Sequence, residues 1–69
     1  MNFKVGDRVI VVKPEKPFYK VGEVFTVKSP YNLGNYFCGE NVDGNGKKTW
    51  VRYENVTIYS LLLKELYEF

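Results

Sequence analysis

Phe3-Lys4-Val5-Gly6-Asp7-Arg8-Val9-Ile10-Val11-Val12 is the stretch whose reading decides the fold. Gly6-Asp7 reads as a tight turn, and it launches a β-branched strand from Arg8 to Val12. Side chains alternate along a strand, so Val9 and Val11 share one face while Arg8, Ile10 and Val12 share the other. We place Val9 and Val11 in the core. That leaves Ile10 and Val12 apolar on the outer face, where something has to cover them. A fainter copy of the phrase follows at Lys20-Val21-Gly22-Glu23-Val24-Phe25-Thr26-Val27. Both copies carry Lys-Val-Gly-acid and run into a β-rich segment, the punctuation of a small all-β domain.

The chain has 69 residues, enough for one domain. A chain this short buries only about 60% of its unfolded surface, so its stability margin is thin. It has one cysteine, Cys38, and no histidine. An intramolecular disulfide is therefore impossible, and a structural zinc site is excluded. The core has to come from apolar packing, with its twelve aromatic residues (six Tyr, five Phe, one Trp) as the main source of buried area. Ten basic and eight acidic residues give a net charge of +2. That balance does not mark a nucleic-acid binder, because the acids are spread among the bases. The N-terminus has no apolar signal-like region and no run approaches the length of a membrane span, so no membrane role is expected. One unpaired thiol fits a cytoplasmic setting.

Further along, Lys13 to Lys20 reads as a loop stiffened by Pro14 and Pro17. Phe18 and Tyr19 at its far end either tuck over the core or join a binding face. Glu23 to Lys28 is the second strand, with Phe25 and Val27 on one face. Ser29 to Asn35 is a turn-rich loop. Tyr36 to Val42 is the third strand, where Gly39 implies a bulge or a sharp bend. Asp43-Gly44-Asn45-Gly46 is a strong hairpin signal, and Lys47 to Arg52 is the fourth strand paired antiparallel with the third. Tyr53-Glu54-Asn55 is a short turn of 3₁₀ type, and Val56 to Tyr59 a fifth short strand. Ser60 is an N-cap for a helix over 61–69. Leu62, Leu66 and Phe69 lie on one helical face, which Leu63 and Tyr67 broaden. A helix of about two and a half turns does not stand alone in water, so it docks on the outer face carrying Ile10 and Val12 or on a second copy of the chain.

This order of elements resembles an SH3-like barrel: five short strands, a late hairpin, a short turn and a last small strand. The expectation is an all-β chain, a small five-stranded SH3-like barrel over residues 1–59 with a short C-terminal helical segment over 60–69. More narrowly, three phrases resemble small phage-encoded and bacterial proteins of SH3-like or KOW-like type. They are Val5-Gly6-Asp7-Arg8-Val9, then Val21-Gly22-Glu23 with Phe25-Thr26-Val27, and Thr49-Trp50-Val51 with Glu54-Asn55-Val56. The Leu-rich C-terminus and the length of the Pro-containing loop depart from that pattern. The resemblance implies a small stand-alone protein of phage type that binds and modulates or inhibits a host protein, or sequesters a nucleotide signal.

The residues themselves offer no conventional catalytic constellation. No histidine is present to act as a base, and neither Ser29 nor Ser60 has the context of an activated nucleophile. Cys38 reads as a buried small hydrophobe. The Asp43–Gly46 turn lacks the ligand positions of a calcium loop. We expect no enzyme, no metal and no cofactor; a metal-independent phosphodiesterase built from Tyr, Lys and Arg is a remote alternative. Binding is better supported. In the fourth strand Lys48, Trp50 and Arg52 share a face, and with Val51 in the core Trp50 points outward between two cations. Such a residue is either a protein hot spot, a stacking platform for bases, or a side chain covered by the C-terminal helix. In the reversed register Trp50 is core. A second candidate surface is the loop rim carrying Phe18, Tyr19, Tyr31 and Tyr36 with Lys20 and Lys28. The expected binding residues are Tyr19, Lys28, Tyr31, Tyr36, Lys47, Lys48, Trp50 and Arg52. A protein partner is the first reading, and nucleic acid or a nucleotide the second. A homodimer would place Leu62, Leu66 and Phe69 near the interface.

Overall fold

The computed structural model describes residues 3–30, 34–42 and 46–67. The expected turn and hairpin residues 43–45 lie outside this set, as do Tyr31 and Phe69. Among the described residues there are five strands: β1 (Arg8–Val11), β2 (Val24–Pro30), β3 (Tyr36–Asn41), β4 (Lys48–Arg52) and β5 (Val56–Ile58). A 3₁₀ turn, Tyr53–Asn55, joins β4 to β5, and helix α1 spans Leu61–Tyr67. All pairings are antiparallel, in one sheet of order β4-β3-β2-β1-β5. Among the described residues the sheet, expected as a barrel, does not close by hydrogen bonds, and β4 and β5 form its two edges.

The repeated Lys-Val-Gly-acid phrase builds the same turn twice. Asp7 N–H donates to Lys4 O (3.0 Å) and Glu23 N–H to Lys20 O (3.2 Å). The glycine in the third position has φ +96° at Gly6 and +95° at Gly22. A side chain is disfavoured there, which is why each turn needs its glycine. The Asp7 carboxylate also accepts from Lys4 N–H (2.9 Å). The first turn locks to β2 through Gly6 N–H to Val27 O and Val27 N–H to Asp7 O, both 2.8 Å.

Alternation then fills the core. Val9, Val11, Phe25, Val27, Phe37, Val51 and Val56 point inward and are buried, joined by Phe3 and Tyr19. Phe3 lies stacked on Tyr53 (centroids 5.7 Å) and edge-on to Phe37 (6.1 Å), while Tyr19 meets Phe25 edge-on (6.1 Å). Aromatic pairs at these separations contribute about 0.5–1.5 kcal/mol each beyond the area they bury. The bulge expected at Gly39 sits instead across from it, on β2, where the register with β3 shifts between Val27 and Ser29. Gly39 has a packing role: a Cβ there would stand 3.1 Å from Phe25 Cβ and 3.1 Å from the Phe37 ring.

Ile10, expected on an outer face that needs a cover, is fully buried without belonging to the main core. Its cross-strand partner Val24 is buried with it. The path of the chain explains the cover. Tyr59 N–H bonds to Arg8 O at the start of β1. At the other end, Lys64 Nζ donates to Gly22 O (3.0 Å), and a Cβ on Gly22 would lie 3.0 Å from Tyr67 O. α1 therefore runs back along β1 toward the Gly22 turn. Ser60 caps it, its Oγ accepting from Leu63 N–H (3.2 Å). The half-buried side of α1 is Leu63, Lys64 and Tyr67. Leu62 and Leu66, expected as the docking face, are exposed by 77% and 67%, and Leu61 by 67%. No helix among the described residues is long and apolar enough to cross a membrane.

Candidate functional site

The outer face of β3 and β4 is set by register. Tyr36 pairs with Arg52, Cys38 with Trp50 and Glu40 with Lys48, while Phe37 and Val51 of the opposite parity pair in the core. Val51 in the core confirms the register that sends Trp50 outward, and Trp50 keeps 55% of its surface exposed. Trp50 lies on β4, the edge of the sheet opposite β5, while α1 makes its contacts with the Gly22 turn. Cys38, expected as a buried hydrophobe, is half-buried on the same outer face, directly across from Trp50.

The loop between β1 and β2 brings a second wall. Glu15 and Tyr19 form an isolated bridge: Glu15 N–H donates to Tyr19 O (3.1 Å), and Tyr19 N–H (3.0 Å) and Phe18 N–H (2.8 Å) donate to Glu15 O. These bonds close the loop into a small hairpin with Phe18 at its tip. Phe18 is 61% exposed and Tyr19 only 3%. Tyr19, expected at the binding rim, is thus a core residue. Its hydroxyl accepts from the buried Asn55 side chain (Nδ2, 2.6 Å) and, more distantly, from Arg52 N–H (3.4 Å). It ties the loop to the last residue of β4 and the last residue of the 3₁₀ turn. A buried Asn amide needs an acceptor, and this hydroxyl provides one.

Glu15, Phe18, Tyr36, Thr49, Trp50 and Arg52 together line one open depression of about 390 Å³. Arg52 crosses its base. Its Nε lies 3.0 Å from Glu15 Oε1, its Nη1 lies 3.7 Å from Glu54 Oε1, and its guanidinium sits 5.0 Å from the centroid of the Tyr36 ring. The Glu15 carboxylate, followed by Tyr36 and Glu54, pushes the Arg52 pKa above its ordinary value, so the guanidinium stays charged at any working pH. Lys28 pairs more loosely with Glu40 (3.9 Å). Lys47 and Lys48 are exposed at the start of β4.

Of the expected binding residues, Tyr36, Trp50 and Arg52 come together in the depression. Lys28, Lys47 and Lys48 lie outside its lining, and Tyr31 falls outside the described residues. Glu15 was not foreseen as a site residue, and Phe18 was one of two alternatives in its loop. The signal for Phe18 was an apolar side chain following two prolines in a stiffened loop, whereas nothing local to Glu15 marked it. No group of three or more His, Cys, Asp or Glu among the described residues could hold a metal ion. Compared with family models, curated proteins and solved structures, the chain matches none.

Proposed function

We propose that the chain is a non-catalytic binding module of SH3-like architecture that docks a protein partner on the Phe18–Tyr36–Trp50 depression. The observation that carries this reading is the composition of the depression: aromatic surface from a loop and two strands, with its charges already spent on one another. An exposed Trp beside a Tyr and an Arg is the residue set of protein hot spots. The SH3-like reading is supported by β1 lying between β2 and β5 and by the 3₁₀ turn between β4 and β5. The phage-type reading, with action on a host protein in the cytoplasm, rests on the resemblance of the three quoted phrases and on the unpaired thiol.

The second reading is nucleic acid or a nucleotide held by Trp50 with Lys47, Lys48 and Arg52. It is favoured by the stacking surface of Trp50. Against it stand Glu15 and Glu54, which occupy Arg52 and would repel phosphate. Fluorescence anisotropy of labelled single-stranded and duplex oligonucleotides separates the two. We expect at most weak binding at low salt that vanishes near physiological salt. Micromolar binding that survives the higher salt, and is lost in Trp50→Ala, would install the second reading.

α1 supports self-association. Leu61, Leu62 and Leu66 form its exposed side, and the occupant we assign to it is a second copy of the chain. Three leucines exposed by two thirds or more offer on the order of 400 Å² per copy, so a symmetric pair would bury about 800 Å², the range of weak association. The expected state is a dimer that dissociates at micromolar concentrations.

A further inference from the structure

Arg52 was read from the sequence as one of two cations flanking Trp50, available to a ligand. The structure gives it other work. Three neighbours engage its guanidinium: Glu15 at 3.0 Å, Glu54 at 3.7 Å and the Tyr36 ring at 5.0 Å. Its backbone N–H points to the Tyr19 hydroxyl (3.4 Å). Glu15 and Tyr19 are the two ends of the small hairpin whose tip is Phe18. The Arg52 side chain therefore holds the Glu15 end of the loop that supplies the second aromatic wall, and Glu15 in turn bonds through its backbone to Tyr19 at the other end.

We propose that Arg52 is a positioning residue, a clamp that fixes the Glu15–Tyr19 hairpin so that Phe18 stands beside Trp50, and that it does not meet the ligand with its own charge. A preorganised wall lowers the ordering cost of binding, so the clamp raises affinity without adding a contact. The same arrangement names the kind of side chain the depression takes. With Arg52 neutralised, what remains open is Phe18, Trp50 and the edge of Tyr36. The fitting anchor is an uncharged apolar or aromatic side chain of a protein partner. This inference rests on the protein-binding reading above.

Amide hydrogen exchange by NMR tests the clamp with no ligand present. In Arg52→Gln and, from the loop side, in Glu15→Gln, the Phe18 and Tyr19 amides should lose protection about fivefold relative to the core amide of Val11, which bonds to Glu23 O (2.9 Å). The exposed ring of Trp50 should become more accessible to acrylamide at the same time. The charge swap Glu15→Arg with Arg52→Glu should restore protection to within about twofold, because it rebuilds the pair with opposite polarity. Unchanged protection in both single variants, or a swap no better than either, overturns the clamp. Equal loss at Val11 would mean global destabilisation and also overturns it. If the exchange pattern holds but no protein partner is found, the binding reading fails and the clamp stands. If a partner binds wild type and the swap abolishes that binding while loop protection is restored, Arg52 touches the ligand and the inference is wrong.

Discussion

Tyr19→Phe removes a single oxygen atom, and the structure sets what that atom is worth. Tyr19 is 3% exposed and Asn55 7% exposed. The hydroxyl is the acceptor for Asn55 Nδ2 at 2.6 Å. Without it a buried amide donor loses its partner, at a cost of about 1–3 kcal/mol. The contact from Arg52 N–H is long at 3.4 Å and adds little. The ring itself stays, so there is no cavity and the larger cost of about 3–5 kcal/mol for truncating a buried aromatic does not apply. We take about 2 kcal/mol. In a domain of this size each kcal/mol moves Tm by about 4–8 °C, so the expected drop is about 8–16 °C. Total stability for such a chain is only about 3–10 kcal/mol, which makes this one oxygen a substantial part of it. Thermal melts followed by circular dichroism, with urea melts to confirm an unchanged m-value, read the effect. Adding Asn55→Leu to Tyr19→Phe should recover part of the loss, since the orphaned donor goes too. A Tm within about 2 °C of wild type in Tyr19→Phe would refute the reasoning and remove the Tyr19 hydroxyl as the acceptor that Asn55 depends on.

Two further outcomes follow from packing. Gly39→Ala places a methyl 3.1 Å from Phe25 Cβ and from the Phe37 ring, so it should cost about 1–3 kcal/mol by overpacking, measured as a lower urea midpoint. Light scattering and sedimentation at tens of micromolar should show dimer in wild type and monomer in Leu62→Glu with Leu66→Glu, with the melting temperature at low concentration little changed; a strictly monomeric wild type removes the self-association proposal.

Much of the sheet could be read from alternation. Val9, Val11, Phe25, Val27 and Val51 declare their face by period and composition, and the twin Lys-Val-Gly-acid phrases declare two equivalent turns. The Ser60 cap was equally local. What alternation does not carry is which loop folds back and where it lands. Tyr19 and Asn55 are 36 residues apart in sequence, and neither position announces the other. Both residues of the Phe18-Tyr19 pair are aromatic, so sequence left open which of them turns inward. Arg52 looked like an open cation because its partner Glu15 lies in a different element. Gly39 was read as a bulge or a sharp bend because glycine tolerates both, whereas the ladder slips on β2 and the glycine makes room for two rings. Ile10 called for a cover on its face, but α1 was wrongly expected to turn Leu62 and Leu66 inward. It docks by Leu63, Lys64 and Tyr67 instead, so the two expected docks of the helix are compatible, one on each side of it.

The central claim is that the Phe18–Tyr36–Trp50 depression is the surface that captures a protein. The most direct measurement is quantitative mass spectrometry of proteins retained from bacterial lysate by immobilised wild type and by the Phe18→Ala, Trp50→Ala double variant, both shown to be folded. The account predicts at least one protein enriched on wild type and lost from the double variant by tenfold or more. Identical retained sets on the two proteins would contradict it and leave the depression as nothing more than exposed aromatic surface.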